Sequence, residues 1–349
     1  MSVYFISFYN SYPITSGASN VTTNFYKYCP YKKKLFLINH EKNFKDKNVI
    51  NFKPMFNNPF FKFLVLFRYL YVLIKYIKKD KPKIIVFEGA SWIGYSLLFY
   101  LILKLNFKNI SFIYHSHNIE FDIRRRNYFL GKLTYVFEKI MINNIDKFTV
   151  VSKTDQRRIF KLYKKKVSIL KNGVVFSKLH KLEKKNVILF SGSLEFSENK
   201  IAFKKFYKIV HPLIKSKYKN FKIIVTGNKS IITEDVIQTG VLKYSKYKKL
   251  LRKTKVCIYP FRKGPGTKIK VIEALCYEIP VLSNKYGYQG IDLKNKNKLI
   301  FKNKLELKNK LNLILKNKKA TSFKTIFEEA KKNFNMKTIT NDFFNKLQN

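Results

Sequence analysis

The sequence predicts an α/β protein of two doubly wound domains, each a parallel sheet with helices on both faces. Short apolar runs without polar alternation recur along the chain, as expected of strands buried on both faces. Helix-length amphipathic segments separate these runs. The 349 residues are enough for two cores of about 150–200 residues each, so both halves can fold as domains.

The first half of the chain alternates predicted strands with predicted helices. The strands are VYFISF (3–8), LFLI (35–38), KIIVF (83–87), ISFIY (110–114), KFTVV (147–151) and VSIL (167–170). The helices lie near 18–29, 59–79, 91–105, 131–145 and 153–164. The polar segment 176–186 then lacks strand character, and we interpret it as a linker between domains.

The alternation restarts after this linker. Strands are predicted at 187–190, 221–225, 255–260 and 279–282, and helices near 199–216, 244–252 and 268–277. Helical periodicity returns over 323–347. We therefore predict domains at 1–178 and 179–325, followed by a C-terminal helix at 326–349 that returns to the first domain. Because ligands bind beyond the carboxyl ends of such strands, two facing domains would share one cleft.

The charge of the chain is strongly basic, at +50, with 71 Lys and Arg. This invites a nucleic-acid-binding interpretation. However, only eight of these residues are Arg, the lysines are scattered, and no nucleic-acid-binding motif accompanies them. We expect no nucleic-acid partner and instead attraction to an anionic membrane surface, where each nearby basic residue contributes about 1 kcal/mol.

Several features predict a cytoplasmic protein. The start, MSVYFISFYN, lacks the basic region and cleavage site of a signal peptide, and three widely spaced cysteines suit a reducing compartment. The apolar runs at 63–74 and 92–103 are shorter than the roughly 20 residues of a membrane span. The segment 58–79 mixes aromatic and basic residues, which fits a helix at a membrane interface or one packed on the sheet.

The strongest candidate site is the stretch GPGTKIKVIEALCYEIPV at 264–281. Its turn, which includes Gly266 and Thr267, follows a predicted strand and opens a helix, and free N–H groups at a helix start bind anions. Lys270 adds positive charge, and Glu273 can accept hydrogen bonds from paired hydroxyls such as those of a ribose. A nucleoside diphosphate fits this order of groups. The alternative is a plain turn followed by an exposed helical acid.

This stretch resembles the C-terminal signature of family 4 of the retaining glycosyltransferases, G-x-G-T-x-x-K-V-x-E-A-x-x-x-x-x-P-V. Further segments resemble that family in the same order: HSHNIEFDIRRR (115–126), TVVSKTDQRRI (149–159), LKNGV (170–174), FSGSLEFSEN (190–199), TGNKS (226–230) and SNKYGYQGI (283–291). The resemblance implies a GT-B fold of two Rossmann-like domains facing across a cleft. It also implies metal-independent transfer of a hexose-type sugar, with retained configuration, from a UDP- or GDP-linked donor and without another cofactor.

The acceptor implied by this resemblance is the hydroxyl of a glycan or lipid-linked sugar, in the assembly of a surface polysaccharide or glycolipid. An epimerase acting on a sugar nucleotide is the alternative enzyme within the same fold. A basic nucleic-acid-binding protein is the alternative outside it.

The resemblance also implies roles for single residues in the second domain. Glu273 would hold the ribose, Lys270 would lie near the diphosphate, and Gly192 and Ser193 would flank the donor phosphates. Lys200 is a weaker phosphate-binding candidate.

In the first domain, Gly17 would belong to a turn that faces the phosphates. His117 would contact the transferred sugar, with His115 as the competing register and a buried structural histidine as the alternative. Arg124, Arg125 and Arg126 fit either an anionic acceptor or a solvated helix face.

Two positions depart from the family pattern. Relatives carry a first glutamate eight residues before the second, and Pro265 stands there in this chain. Relatives also place an arginine where Ser193 stands. The nucleotide half of the donor is therefore better supported by the sequence than the sugar half.

Overall fold

The computed structural model describes residues 1–39, 46–54, 59–176, 186–227, 235–262, 266–316 and 323–347. The chain forms two compact units. Unit 1 comprises Met1–Asn172 and Met336–Asn349, and unit 2 comprises Gly173–Asn335. The breaks between the units thus fall at 172/173 and 335/336, whereas the sequence places domain boundaries at 178 and 325. Most of the expected linker, 177–185, lies outside the described residues.

Unit 1 is built on a seven-stranded sheet with the order β3-β2-β1-β4-β5-β6-β7, in which all neighbours are parallel. Its strands are β1 (Ser2–Ser7), β2 (Lys32–Ile38), β3 (Val49–Phe52), β4 (Ile84–Gly89), β5 (Ser111–Ser116), β6 (Lys147–Val150) and β7 (Ser168–Ile169). The central strands β1 and β4 are buried along almost their whole length and are mostly apolar, because both faces of the sheet are covered. The predicted parallel sheet is confirmed.

Seven helices belong to the described part of unit 1. They are α1 (Gly17–Tyr28), α2 (Pro59–Asp80), α3 (Ile93–Asn106), α4 (Glu120–Arg124), α5 (Tyr128–Asn144), α6 (Lys153–Tyr163) and α12 (Met336–Asn345). Local chemistry sets where α1 begins: Ser16 and Ser19 form a reciprocal capping box, which satisfies N–H groups left free at the helix start. The short helix α4 was not predicted from the sequence. It depends on Glu138 of α5, whose carboxylate accepts hydrogen bonds from the Glu120 and Phe121 N–H groups.

Unit 2 is a smaller version of the same architecture. Its sheet has the order β10-β9-β8-β11-β12, again parallel throughout. The strands are β8 (Val187–Ser191), β9 (Lys222–Thr226), β10 (Ile237–Gln238), β11 (Thr254–Tyr259) and β12 (Val281–Ser283). The helices are α7 (Ser197–Lys217), α8 (Tyr244–Lys253), α9 (Ile269–Cys276), α10 (Lys304–Leu315) and α11 (Lys324–Asn333).

The helical periodicity over 323–347 belongs to two helices rather than one. The helical conformation is interrupted between α11 and α12. There the N–H of Val174 donates to the carbonyl of Phe334, and Val174 forms an isolated parallel β-bridge with Asn335. This bond uses a carbonyl that a continuous helix would need. Helix α11 packs on α9 in unit 2, and α12 packs on α1 in unit 1.

Helix α2 has one face in the core and one in solvent. Leu66, Tyr69, Leu73 and Ile77 are buried, whereas Phe67 is 62% exposed. The helix therefore packs on the sheet and still presents aromatic side chains outward. Among the described helices, none combines the length and the apolar character that crossing a membrane requires.

We predict that Phe344→Ala lowers the free energy of unfolding of unit 1 by about 3–5 kcal/mol. Phe344 is fully buried and stacks on Phe25 with ring centroids 5.5 Å apart, so truncation leaves a cavity beneath α12. Trp92, the single tryptophan of the chain, lies in unit 1, and its fluorescence in urea reports on this unit.

Phe129→Ala is the matched control. Phe129 is 76% exposed in the same unit, and we expect a change within about 0.5 kcal/mol. Equal effects of the two substitutions would contradict the packing of α12 on α1.

Candidate functional site

The carboxyl ends of β8 and β9 meet at two glycines. Gly192 and Gly227 follow the paired residues Ser191 and Thr226, and both adopt positive φ, +135° and +119°. A Cβ at Gly227 would lie 2.5 Å from the carbonyl oxygen of Gly192. Only glycine allows this approach, which exposes backbone at the sheet edge where ligands bind in such folds.

The Lys270 side chain reaches back from α9 to the end of β8. Its Nζ donates to the Ser191 carbonyl at 2.7 Å and to Asn199 Oδ1 at 3.0 Å. A Cβ at Gly192 would lie 2.6 Å from this nitrogen, so the glycine makes room for the amine. Asn199 is itself held, because its side-chain amide donates to the Ser193 carbonyl at 2.8 Å. The structure therefore brings Gly192, Ser193 and Lys270 together.

The pKa of Lys270 is unusually low for a lysine. Burial lowers its pKa to about 7, and the neighbouring charge of Lys268 acts in the same direction. The rings of Tyr259 and Phe261 lie 4.8 and 5.0 Å from Nζ and favour the cation.

Glu273 lies one turn after Lys270, on the buried side of α9. It is 4% exposed, and the Tyr244 hydroxyl donates to its Oε1 at 2.8 Å. Burial raises the pKa of Glu273 to about 7, although the Tyr244 hydrogen bond and Lys248 act against this. The expected alternative of an exposed helical acid is wrong, since this carboxylate is buried and oriented.

The turn before α9 is described only from Gly266 onward, and Gly264 and Pro265 lie outside the described residues. Gly266 has φ +68° and is buried. The buried Thr267 Oγ1 has no hydrogen-bond partner among the described residues. Helix α9 begins without a side-chain cap from any described residue.

The structure does not test the roles of two further sequence candidates. Lys200 is exposed on α7, and its neighbour Asn199 makes the contact to Lys270 instead. Gly17 is the first residue of α1 in unit 1, exposed beside its capping Ser16. The phosphate-binding roles of Lys200 and Gly17 stay predictions.

A second polar cluster lies at the sheet edge of unit 1. His117 follows β5, and its Nε2 is 2.7 Å from Oε2 of Glu88 at the end of β4. His115 Nδ1 lies 3.4 Å from the same oxygen, so both candidate histidines lie beside one carboxylate. All three side chains are buried.

The basic turn at 124–126 is partly neutralised. Arg124 Nε donates to Glu120 Oε2 at 2.9 Å, and Arg125 is 3.8 Å from Asp122. Arg158 of α6 binds Asp122 more closely, at 2.6 Å. Arg126 is exposed.

Sequence reasoning missed Glu88, Asn199 and Tyr244. Each contacts a residue that the sequence does single out, but from a different element of the fold. Glu88 ends a strand and could have been suspected as a polar residue closing the apolar run IIVFEG. Asn199 and Tyr244 lie among many Asn and Tyr residues, and nothing in their local sequence marks them.

We predict that Lys270 titrates with a midpoint near pH 7. Below this pH the amine is protonated, and above it the amine is neutral, so affinity for an anion at this site falls as the pH rises beyond 7. The measurement is ¹³C NMR of lysine Cε in labelled protein. One resonance should titrate near neutrality, disappear in Lys270→Arg and remain in the exposed control Lys200→Arg. A Lys270 resonance that titrates above pH 10 would refute the burial effect.

Family models match both halves of the chain. The model "Glycosyltransferase Family 4" matches residues 28–178, and the model "Glycosyl transferases group 1" matches residues 185–317. The chain is 24% identical over 256 residues to an α-1,4-N-acetyl-D-galactosaminyltransferase of Campylobacter jejuni, named for its substrate GalNAc-α-(1→4)-GalNAc-α-(1→3)-diNAcBac-PP-undecaprenol. That match covers 69% of this chain and 66% of the relative, just under two thirds of its length.

Solved structures share the fold over the whole chain. Sucrose-phosphate synthase from Thermosynechococcus elongatus superposes with a TM-score of 0.75 at 12% identity, covering 100% of this chain and 98% of that one. Anabaena HepE in complex with UDP and glucose gives 0.73 at 12% identity, covering 99% of both chains. With its two parallel α/β units and both halves matched in order to glycosyltransferase models, the chain belongs to the GT-B glycosyltransferases.

Proposed function

We propose that this protein transfers a sugar from a nucleotide-diphosphate donor, UDP- or GDP-linked, to the hydroxyl of a glycan or lipid-linked acceptor. The arrangement of Lys270 and Glu273 on α9 carries the proposal. An amine at the end of β8 and an oriented carboxylate one turn further along suit a diphosphate followed by a ribose. The relative named for an undecaprenol-linked substrate and the UDP complex of HepE support this choice of ligands.

The leaving group of such a transfer is a nucleoside diphosphate, so the main demand on the protein is to stabilise developing negative charge. We propose that Lys270 and the free N–H groups at the start of α9 meet this demand, without a metal ion. Thr267 offers a further hydroxyl to a phosphate oxygen. The departure at Ser193 fits this scheme, because Lys270 already supplies a cation beside it.

We further propose retention of the anomeric configuration and contact between His117 and the transferred sugar. Both rest on the resemblance of the segment at 115–126 and of the α9 signature to the retaining family. The α linkage in the name of the Campylobacter relative agrees with transfer from an α-linked donor.

We predict that Glu273→Ala weakens binding of the nucleotide donor by about 10- to 100-fold, since two ribose hydroxyls lose a charged acceptor worth about 1.5–3 kcal/mol. A thermal-shift screen of UDP-, GDP-, ADP- and CMP-sugars identifies the donor, and calorimetry then measures the loss. Glu328→Ala, at an exposed acid in the same unit, should leave affinity unchanged.

Product analysis tests the reaction itself. With a radiolabelled donor, transfer requires an acceptor and yields a stable glycoside, whereas an epimerase converts the donor alone. Unchanged donor affinity in Glu273→Ala would refute the site, and conversion without acceptor would refute the transferase.

We also propose that unit 1 works at the cytoplasmic membrane surface, where a lipid-linked acceptor would be found. Two stripes at i, i+3, i+7 spacing are exposed on adjacent helices: Leu64, Phe67 and Tyr71 on α2, and Leu98, Leu101 and Leu105 on α3. We call these six residues the apolar face. The two helices contact each other through the buried rings of Tyr69 and Phe99, whose centroids lie 5.2 Å apart.

Positive charge accompanies the apolar face. Lys75 Nζ lies 4.5 Å from the Tyr71 ring, and Arg68, Lys78 and Lys79 continue along α2. Apolar side chains bordered by lysines suit the boundary between acyl chains and anionic headgroups. This combination favours an anionic bilayer over a neutral one as the partner.

We predict that the double variant Phe67→Ser/Leu105→Ser reduces sedimentation with anionic vesicles at least about 10-fold, since each buried side chain contributes about 1.5–3 kcal/mol. The wild-type protein should bind vesicles containing phosphatidylglycerol, bind pure phosphatidylcholine weakly, and lose affinity as salt rises. Ile237→Ser, at an exposed residue of unit 2, is the control. Equal binding to both vesicle types would contradict the proposal.

A further inference from the structure

The Glu88 carboxylate behind His117 is completely buried, and its partners gather on Oε2, whereas Oε1 has no hydrogen-bond partner among the described residues. Glu88 Oε2 accepts a hydrogen bond from Thr22 Oγ1 at 2.8 Å and lies 2.7 Å from His117 Nε2. The Tyr9 hydroxyl is 2.6 Å from Thr22 Oγ1. Since the Thr22 hydrogen is used on Glu88, Tyr9 is the donor of that second bond. Hydrogen bonds therefore link Tyr9 to Thr22, Thr22 to Glu88, and Glu88 to His117.

The protonation states of Glu88 and His117 follow from their surroundings. Burial works against the charge on Glu88, but His115 and His117 outweigh it and hold the pKa of the carboxyl at about 2. Burial lowers the pKa of His117, so at neutral pH its ring carries a single proton. An ionised carboxylate only accepts hydrogen bonds. The nitrogen that faces it, Nε2, must carry that proton.

A metal ion could also occupy a group of two histidines and a glutamate, which are zinc ligands in proteins. The 3.4 Å between His115 Nδ1 and Glu88 Oε2 would suit a metal, but the distance from Glu88 to His117 favours a proton. Two ligands bound tetrahedrally to zinc at about 2.0–2.1 Å are separated by about 3.3 Å. The 2.7 Å between Glu88 Oε2 and His117 Nε2 is too short for that arrangement and normal for a charge-assisted hydrogen bond.

We propose that Glu88 is a positioning residue that fixes His117 as the Nε2–H tautomer and leaves its Nδ1 lone pair to accept a hydrogen bond from a sugar hydroxyl. Among the described residues, Nδ1 of His117 has no partner of its own. The role toward the sugar rests on the proposed function, whereas the tautomer rests on the contacts within unit 1. His117 thus acts as a neutral acceptor rather than as an acid.

His115 has a different part in the cluster. Its ring packs edge-on against Phe25, with centroids 5.5 Å apart, and neither ring nitrogen has a hydrogen-bond partner that meets normal geometry among the described residues. The ring lies 4.7 Å from that of His117 and covers the carboxylate from the side of α1. His115 lies within β5 and lines the cluster, whereas His117 follows the end of this strand.

The test is ¹⁵N NMR of histidine ring nitrogens in the full-length protein at pH 7.5, without substrate. The expected result is a protonated Nε2 and an unprotonated Nδ1 for His117, with the signals assigned by their loss in His117→Gln. Glu88→Gln keeps the side-chain volume and presents an amide that can donate to Nε2. We expect this variant to populate the Nδ1–H tautomer, while Thr22→Val leaves the tautomer unchanged.

Kinetics test the role toward the sugar. Glu88→Gln should reduce turnover by about 10- to 100-fold, as loss of an orienting partner typically does, with donor affinity within about twofold of wild type. Asp80→Asn, at an acid of unit 1 that pairs with Lys34 at 2.9 Å, should change neither the tautomer nor turnover, and Trp92 fluorescence confirms that each variant is folded.

Three results would overturn the proposal. They are an Nδ1–H tautomer in the wild-type protein, a tautomer that Glu88→Gln leaves in place, and ring signals that shift when a chelator removes stoichiometric zinc. A protein that shows the expected tautomer but transfers no sugar from any donor would instead refute the proposed function. The ring signals therefore separate the two failures.

Discussion

Both candidate sites depend on the parallel pairing of neighbouring strands, which brings their carboxyl ends to one edge of each sheet. In unit 2, Ser191 pairs with Thr226, so the glycines that follow them lie side by side and admit the amine of Lys270. In unit 1, Glu88 pairs with His115, which places carboxylate and imidazole on the same face. A register shift by one residue would turn these side chains to opposite faces and dissolve both clusters.

Charged side chains also lie at these edges, fully buried in the case of Glu88 and partly buried in the case of Lys270. Lys270 exchanges water for one carbonyl and one amide oxygen, and Glu88 exchanges it for a hydroxyl and an imidazole. Such exchanges seldom recover the whole desolvation penalty, and apolar side chains of similar size would often be as stable. Both charges lie at strand ends, where these folds bind ligands, which agrees with the binding roles that we propose for them.

Much of the fold could be predicted from the sequence, because buried parallel strands are apolar on both faces and their helices keep a regular period. Elements stabilised by distant partners could not. Helix α4 depends on Glu138, far along α5, and the break before α12 depends on Val174. The candidate site could likewise be predicted only in part. Lys270 and Glu273 stand in one contiguous signature and could be predicted, whereas Asn199 and Tyr244 reach them only through tertiary folding.

Without a ligand, the two ionisable groups of α9 in unit 2 have pKa shifts of opposite direction. Burial moves the pKa of Lys270 down and that of Glu273 up, both to about 7, so each group can shed its charge when no ligand is present. This limits the cost of keeping an amine and a carboxylate buried one helical turn apart. In the donor complex that we propose, the diphosphate would favour the ammonium and the ribose hydroxyls would favour the carboxylate, so both charges would return on binding. The proton gained by Lys270 then offsets the proton lost by Glu273, and recognition of the ligand need not change the net proton content of the site.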